Sequence, residues 1–192
     1  MRIGGYQRTS LVDFPGRVAA VVFTQGCNFR CPWCHNRQLV ELARFEAALC
    51  QDDILRHLGS RIGKLSGVVI SGGEPTLQPD LIDFMSAVRR MDFAVKLDTN
   101  GSAPQVVADL LARGLVDFIA MDLKAPWRRY EQACGVAVDT TSIRETIRIV
   151  QRSGVPHHLR TTDWAGFTTE EWREIEIAAE GSLVVRQSCR HC

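Results

Sequence analysis

Val18-Ala19-Ala20-Val21-Val22-Phe23 runs through Thr24-Gln25-Gly26 into Cys27-Asn28-Phe29-Arg30-Cys31-Pro32-Trp33-Cys34-His35-Asn36. The apolar run is too short to span a membrane and reads as a buried strand. The cysteines therefore lie on a loop leaving the end of a strand. A short loop can wrap three thiolates around one face of a metal cluster, which neither a straight strand nor a single helix can do. Structural zinc takes four protein ligands, and no fourth ligand completes this group at the usual spacing. Cys34 and His35 are adjacent, so the two do not both reach one small ion. Iron–sulfur clusters are usually held by four thiolates; three leave one iron open to a small molecule, and an open position marks chemistry rather than structure.

Downstream of this loop, strand-like and helix-like stretches alternate. Residues 52–65 read as a helix with Ile54, Leu58 and Ile62 on one face. Val68-Val69-Ile70 is a strand ended by Ser71-Gly72-Gly73-Glu74-Pro75, and from Asp80 a helix presents Leu81, Phe84, Met85 and Val88. Residues 93–97 form the next strand, ended by Asp98-Thr99-Asn100-Gly101. Ser102 reads as a helix cap with Pro104 in the first turn, Val106, Val107, Leu110 and Leu111 as its stripe and Gly114 as its stop. Residues 116–121 are a strand leading into Asp122-Leu123-Lys124. Ser142-x-x-Glu145 reads as a capping box ahead of Ile143, Ile147 and Val150, with Gly154 closing that helix. Residues 157–160 are a strand before Thr161-Thr162. Thr168-x-x-Glu171 opens a helix carrying Trp172, Ile175 and Ala179, and residues 183–186 form a last strand.

Strands alternating with helices mean right-handed crossovers and a parallel sheet. The strand ends at Phe23, Ile70, Leu97, Met121 and Arg160 are each followed by polar or ligand-type residues. In parallel α/β folds every loop after a strand points to one edge, so five segments deliver chemistry to one rim. Six strands rather than eight imply an open, partial barrel, whose open flank suits a large substrate such as a protein loop. The chain of 192 residues reads as a single domain, 1–192, without internal repeat or linker. Its formal net charge of +1 gives no reason to expect nucleic acid or an anionic membrane as partner. The start Met1-Arg2-Ile3-Gly4-Gly5 lacks the apolar segment of a secretory signal. The odd count of seven cysteines does not suggest a disulfide framework, and the cytoplasm is the expected compartment. Cys50 and Cys134 read as small buried hydrophobes. Cys189-x-x-Cys192 has metal-like spacing but too few thiols for a site, and is left unassigned.

The C-x3-C-x2-C spacing with Trp33 before the last cysteine resembles the radical S-adenosylmethionine (SAM) enzymes. In that family three cysteines hold a [4Fe–4S] cluster and SAM chelates the fourth iron. The extension to Cys34-His35-Asn36, within Gln25-Gly26-Cys27, is similar to the glycyl-radical-enzyme activases. The opening Gly4-Gly5 through Ser10-Leu11-Val12-Asp13-Phe14-Pro15-Gly16 resembles the branch that activates anaerobic ribonucleoside-triphosphate reductase. The resemblance covers most of the chain and weakens after about Thr162.

On residues alone Gly72-Gly73 is a turn, Asp98-Thr99-Asn100-Gly101 another turn, Asp122 a solvated carboxylate and Lys124 a surface lysine. The resemblance implies more. The fold becomes an open (β/α)6 barrel of the radical SAM type, with Cys27, Cys31 and Cys34 holding one cluster per chain. Gly72-Gly73-Glu74 would accept the SAM amino group, Asp98 would pair with the ammonium and Lys124 with the carboxylate. Asp122 would contact the ribose or a bound monovalent cation, and Arg160 would lie near SAM or else be an edge-strand arginine. Trp33 would stack on the adenine or cover the cluster. His35 would hydrogen-bond the cluster loop, and Asp13 would touch the substrate backbone, although Phe14 departs from the activases' Asp-Gly-Pro-Gly.

The implied reaction is one-electron cleavage of SAM to methionine and a 5′-deoxyadenosyl radical. A flavodoxin-like donor would supply the electron, and the radical would take the Cα hydrogen of a glycine in the anaerobic ribonucleotide reductase. Activation of another glycyl radical enzyme, of the pyruvate formate-lyase type, is the alternative. A small-molecule radical SAM enzyme such as 7-carboxy-7-deazaguanine synthase, or a cluster-bearing electron-transfer or sensor protein, are further ones.

Overall fold

The structure is a computed structural model and describes residues 1–189. Strand β1 (Ile3–Ser10) is antiparallel to β2 (Ala19–Thr24). From β2 onward, β3 (Gly67–Gly72), β4 (Ala94–Thr99), β5 (Phe118–Asp122), β6 (His157–Asp163) and β7 (Val184–Ser188) are parallel. All seven lie in one sheet in sequence order, and no pairing joins β1 to β7 among the described residues. The parallel, open barrel read from the sequence is therefore what forms. Between the strands run α1 (Arg37–Val40), α2 (Gln51–Gly59), α3 (Leu81–Arg90), α4 (Pro104–Ala112), α5 (Tyr130–Cys134), α6 (Thr140–Arg152) and α7 (Thr169–Ala178). No helix among the described residues is long and apolar enough to cross a membrane.

A sheet wound steadily in one direction gathers its helices on one side. Alternate strand residues serve that side: Val22, Ile70, Leu97, Met121 and Leu159 pack with Leu58, Phe84, Leu110, Ile147 and Ile175 in one core. The other set faces the concave side, which changes character along the strands. At its base Ala19, Val21, Val69 and Ala94 form a second apolar cluster with Phe14. At its top stand Ser71, Asp98, Asp122 and Arg160. Phe14, which departs from the activase pattern, is 3% exposed and acts as a plug. A Cβ at Gly67 would meet its ring at 2.8 Å, so the glycine is what admits it.

Several local expectations are corrected. Strand β1 was not anticipated: Gly4-Gly5-Tyr6-Gln7-Arg8-Thr9 shows no alternation, because its pairing with β2 shifts register between Ile3 and Gly5 and between Gln7 and Ser10. Helix α2 stops at Gly59 instead of reaching residue 65, since turns at Ser60–Lys64 follow it, leaving Ile62 57% exposed. Helix α4 has Ala103 at its N-cap without a side-chain bond, while the Ser102 hydroxyl accepts from Asn28 Nδ2 at 2.9 Å. Helix α6 is capped by Asp139, which accepts from Thr141 N at 2.9 Å, so Ser142 and Glu145 fall inside it. The Thr168–Glu171 capping box forms as read. Cys50 is exposed rather than buried, whereas Cys134 is fully buried.

Candidate functional site

The loop after β2 is held mainly through its backbone. Gly26 N donates to Leu39 O at 2.7 Å, Arg30 N to Cys134 O at 2.7 Å, and Glu74 N to Gly26 O at 2.8 Å. Phe29 anchors it in the core at 3% exposure. The last of these bonds explains Gly72-Gly73. A Cβ on Gly72, which has φ +115°, would strike the Thr24 backbone, and one on Gly73 would strike the Gly26 carbonyl. The two glycines thus let the end of β3 close against the start of the cysteine loop. Cys27, Cys31 and Cys34 all line a cavity of about 630 Å³ at the C-terminal ends of the strands, a volume suited to a small-molecule cofactor.

The thiols differ in their surroundings. Burial pushes Cys27 up to about 11 and raises Cys34 as well. Cys31 is brought down to about 7 by a hydrogen bond from the Cys134 thiol, whose own pKa rises in consequence. Cys134 is thus more than apolar filler, and no spacing in the sequence announces it. Cys189 does not line the cavity, and Cys192 lies outside the described residues.

Across the cavity the strand ends carry an alternating chain of charge. Lys96 Nζ bonds Asp98 Oδ1. Asp98 Oδ2 accepts from Ser71 Oγ at 3.0 Å and Arg160 Nη1 at 3.2 Å. Arg160 Nε reaches Asp122 Oδ1 at 3.0 Å, and Lys124 Nζ reaches Asp122 Oδ2 at 2.7 Å. The Lys124 ammonium ends the chain 5.1 Å from the centre of the Trp33 ring, so one face of that indole is already occupied. Burial raises the Asp122 pKa, but Arg160 and then Lys124 outweigh it and hold the carboxyl at about 2. Burial opposes the charge on Lys124 and Arg160 too, yet Asp122 keeps both well above their ordinary values.

The structure brings Cys27, Cys31, Trp33 and Cys34 to one cavity with Gly72, Gly73, Asp98, Asp122, Lys124 and Arg160. Arg160 is not an edge residue, because β6 lies between β5 and β7. Asp13 lines the same cavity, its carboxylate bonded to Ser10 Oγ. Glu74 is the exception. Its oxygens accept from Thr76 Oγ1 at 2.5 Å, Thr99 Oγ1 at 2.7 Å and Asn100 N at 2.6 Å, away from the cavity. It therefore ties the β3 loop to the β4 loop instead of facing a ligand. Lys96 was missed by the sequence reading, although a lysine within Ala94-Val95-Lys96-Leu97 was the available signal. Arg186, Gln187 and Ser188 of β7 also reach the cavity and had been given no role.

These residues fit a cluster better than a lone ion. No three His, Cys, Asp or Glu side chains among the described residues converge tightly enough for a single metal. An iron–sulfur cluster spreads its ligand points over several irons and prefers an all-thiolate set. The Trp33 Nε1–H, buried beside the thiols, has no partner, which is costly unless something else occupies the space. Facing them, paired ammonium and carboxylate groups match the zwitterionic end of an amino acid-derived cofactor.

The sequence profile of the radical SAM superfamily matches residues 21–180. A putative glycyl-radical enzyme activating enzyme of Methanocaldococcus jannaschii is 32% identical over 76% of this chain and 59% of its own length. The pyruvate formate-lyase 1-activating enzyme of Escherichia coli K12 is 32% identical over 64% of this chain and 52% of its own. The chain thus spans little more than half the length of these relatives. The crystal structure of Streptococcus suis SuiB bound to S-adenosylmethionine superposes with a TM-score of 0.71 at 16% identity, over 90% of this chain and 40% of that one, which speaks for the fold alone. The cofactors of the matching family are a [4Fe–4S] cluster and SAM. A profile match over most of the chain, a cysteine loop of the family's spacing and a parallel open barrel agree: the chain belongs to the radical SAM superfamily.

Proposed function

We propose that this domain activates a glycyl radical enzyme, and that its target is anaerobic ribonucleoside-triphosphate reductase. One observation carries the reading: three thiols face a chain of paired charges across a single cavity at the strand ends. The 32% identity to activating enzymes supports the class of target. When bound, the cluster and SAM supply a 5′-deoxyadenosyl radical by one-electron cleavage of the S–C5′ bond, the electron coming from a flavodoxin-like donor.

The protein's own residues hold and orient. Cys27, Cys31 and Cys34 supply the thiolates. Lys124 and Arg160 hold the SAM carboxylate, Asp98 its ammonium, and Asp122 the ribose. Trp33 covers the thiols with the indole face that Lys124 leaves free. The Gly72-Gly73 backbone borders the amino acid end, and Glu74 positions that backbone against Thr99 and Asn100. Phe14 closes the base of the barrel against water. Asp13 stands at the cavity where a glycine-bearing loop enters.

The pyruvate formate-lyase type of target is the second reading, favoured by relatives whose names carry that activity. Mixing cluster-loaded protein, SAM and reductant with each candidate enzyme separates the two. A glycyl-radical doublet in electron paramagnetic resonance with the reductase is the expected result. A doublet with the formate-lyase alone would transfer the assignment, and a doublet with neither would refute the activase reading.

A further inference from the structure

Lys96 is not accounted for by packing. It lies in the middle of β4, with its Cα level with Val69 on one side and Phe118 on the other, above the apolar base of the barrel. Its side chain is 4% exposed and is bonded to Asp98 two residues along the same face. A buried ion pair is at best neutral for stability against a hydrophobe of similar volume. A methionine would fill this place equally well, so the charge calls for another reason.

That reason lies in the pair Asp98 and Asp122. Two carboxylates at one rim, beside a cofactor that brings its own carboxylate, suit a monovalent metal cation, which the family resemblance offered at Asp122 as an alternative to the ribose. The residues present do not fit it. All four carboxylate oxygens already accept from a donor. Asp98 Oδ1 takes Lys96, and its Oδ2 takes Ser71 at 3.0 Å and Arg160 at 3.2 Å. Asp122 Oδ1 takes Arg160 at 3.0 Å and its Oδ2 takes Lys124 at 2.7 Å. Three cationic side chains stand against two anionic ones. A metal ion would add a fourth positive charge to this partly desolvated site, whereas a zwitterionic cofactor end adds no net charge.

We propose that Lys96 is a built-in cation of this site, holding Asp98 in place of a monovalent metal ion, so that the cofactor is bound without one. The proposal rests on the assignment of the cavity to SAM, and its test separates the two. Cluster-loaded, oxygen-protected protein is titrated with SAM in potassium, sodium and tetramethylammonium chloride at equal ionic strength, so that screening is the same. The wild type is expected to bind SAM within about twofold in all three salts, with melting temperatures within about 1 °C. Lys96→Met, which frees Asp98 Oδ1, is expected to bind SAM at least about tenfold more tightly in potassium than in tetramethylammonium.

Wild-type binding at least about fivefold tighter in potassium or sodium would overturn the proposal, as would a folded Lys96→Met indifferent to the salt. Where Lys96→Met does not fold, the wild-type arm decides. Where SAM fails to bind in any salt, the cavity assignment falls, and the melting temperatures still decide on the metal. Equal values uphold the built-in cation, and a rise of more than about 2 °C in potassium or sodium overturns it.

Discussion

The two walls of the cavity are built on opposite terms. On the strand-end wall every charge has its counter-charge within the chain, from Lys96 through Asp98, Arg160 and Asp122 to Lys124. On the loop wall the thiols have no counter-charge of their own and feel the Lys124 ammonium, already paired with Asp122. Burial raises Cys27 and Cys34, and the help given to Cys31 comes first from another thiol, Cys134, and then from Lys124. The first wall is complete as folded, while the second is complete only when something positive sits among its sulfurs. In the proposed function a site made of both would hold its cofactor by contrast: the loop would bind the cluster, and the preformed wall would receive the zwitterionic end.

Breaking the loop wall is expected to have the largest effect. Cys31→Ala should lose nearly all of the roughly four irons of anaerobically reconstituted protein, measured by iron analysis and the cluster's absorbance. Its urea midpoint without the cluster should stay close to that of the wild type, since the loop is held by backbone bonds. An unchanged cluster spectrum would remove the contrast between the walls. Breaking the other wall should do the reverse. Asp98→Leu leaves the buried Lys96 ammonium unpaired and should cost about 3–5 kcal/mol in urea unfolding. A cost below about 1 kcal/mol would mean that the charge chain is not tight.

Lys124→Ala sits between these cases, because Lys124 belongs to the strand-end wall yet leans on Trp33 of the loop. It should weaken SAM binding by about ten- to a hundredfold, as loss of one charge-assisted bond would, and leave the cluster content unchanged. Equal SAM affinity would refute its role. The smallest effect is one of pH. Asp122 has its pKa held at about 2 against an ordinary 3.8. A depressed folded pKa contributes stability in full above the ordinary value, and that contribution is lost as pH falls through the folded one. The gap in stability between wild type and Asp122→Asn should therefore be constant from neutral pH down to the ordinary carboxylate range and shrink below it. A gap that widens in acid would contradict the pairing with Arg160 and Lys124.

How much of this could be read from the sequence follows from what is local and what is not. The cysteine loop, the parallel strands and the polar residues at their ends depend on spacing and periodicity, and all were legible. Strand β1 was not, because two register shifts in its pairing with β2 break the alternation. The caps of α4 and α6 were misplaced, since Ser102 and Ser142 can satisfy a cap pattern while their hydroxyls choose Asn28 and Asp139.

At the site the same division holds. Position set Asp98, Asp122, Lys124 and Arg160 at the strand ends, and the family resemblance singled them out. That Arg160 bridges the two aspartates, that Glu74 turns to Thr76, Thr99 and Asn100, and that Cys134 meets Cys31 are tertiary choices made between segments far apart in the chain. Lys96 marks the boundary between the two kinds. Its type and place in a strand were visible, but its meaning depends on a carboxylate whose other partners come from β3 and β6.

In the proposed function the two walls together turn one cofactor into a radical source. Cluster-loaded protein incubated anaerobically with SAM and a one-electron reductant is expected to release methionine and 5′-deoxyadenosine in equal amounts. Intact SAM, recovered in the presence of an intact, reduced cluster, would contradict it.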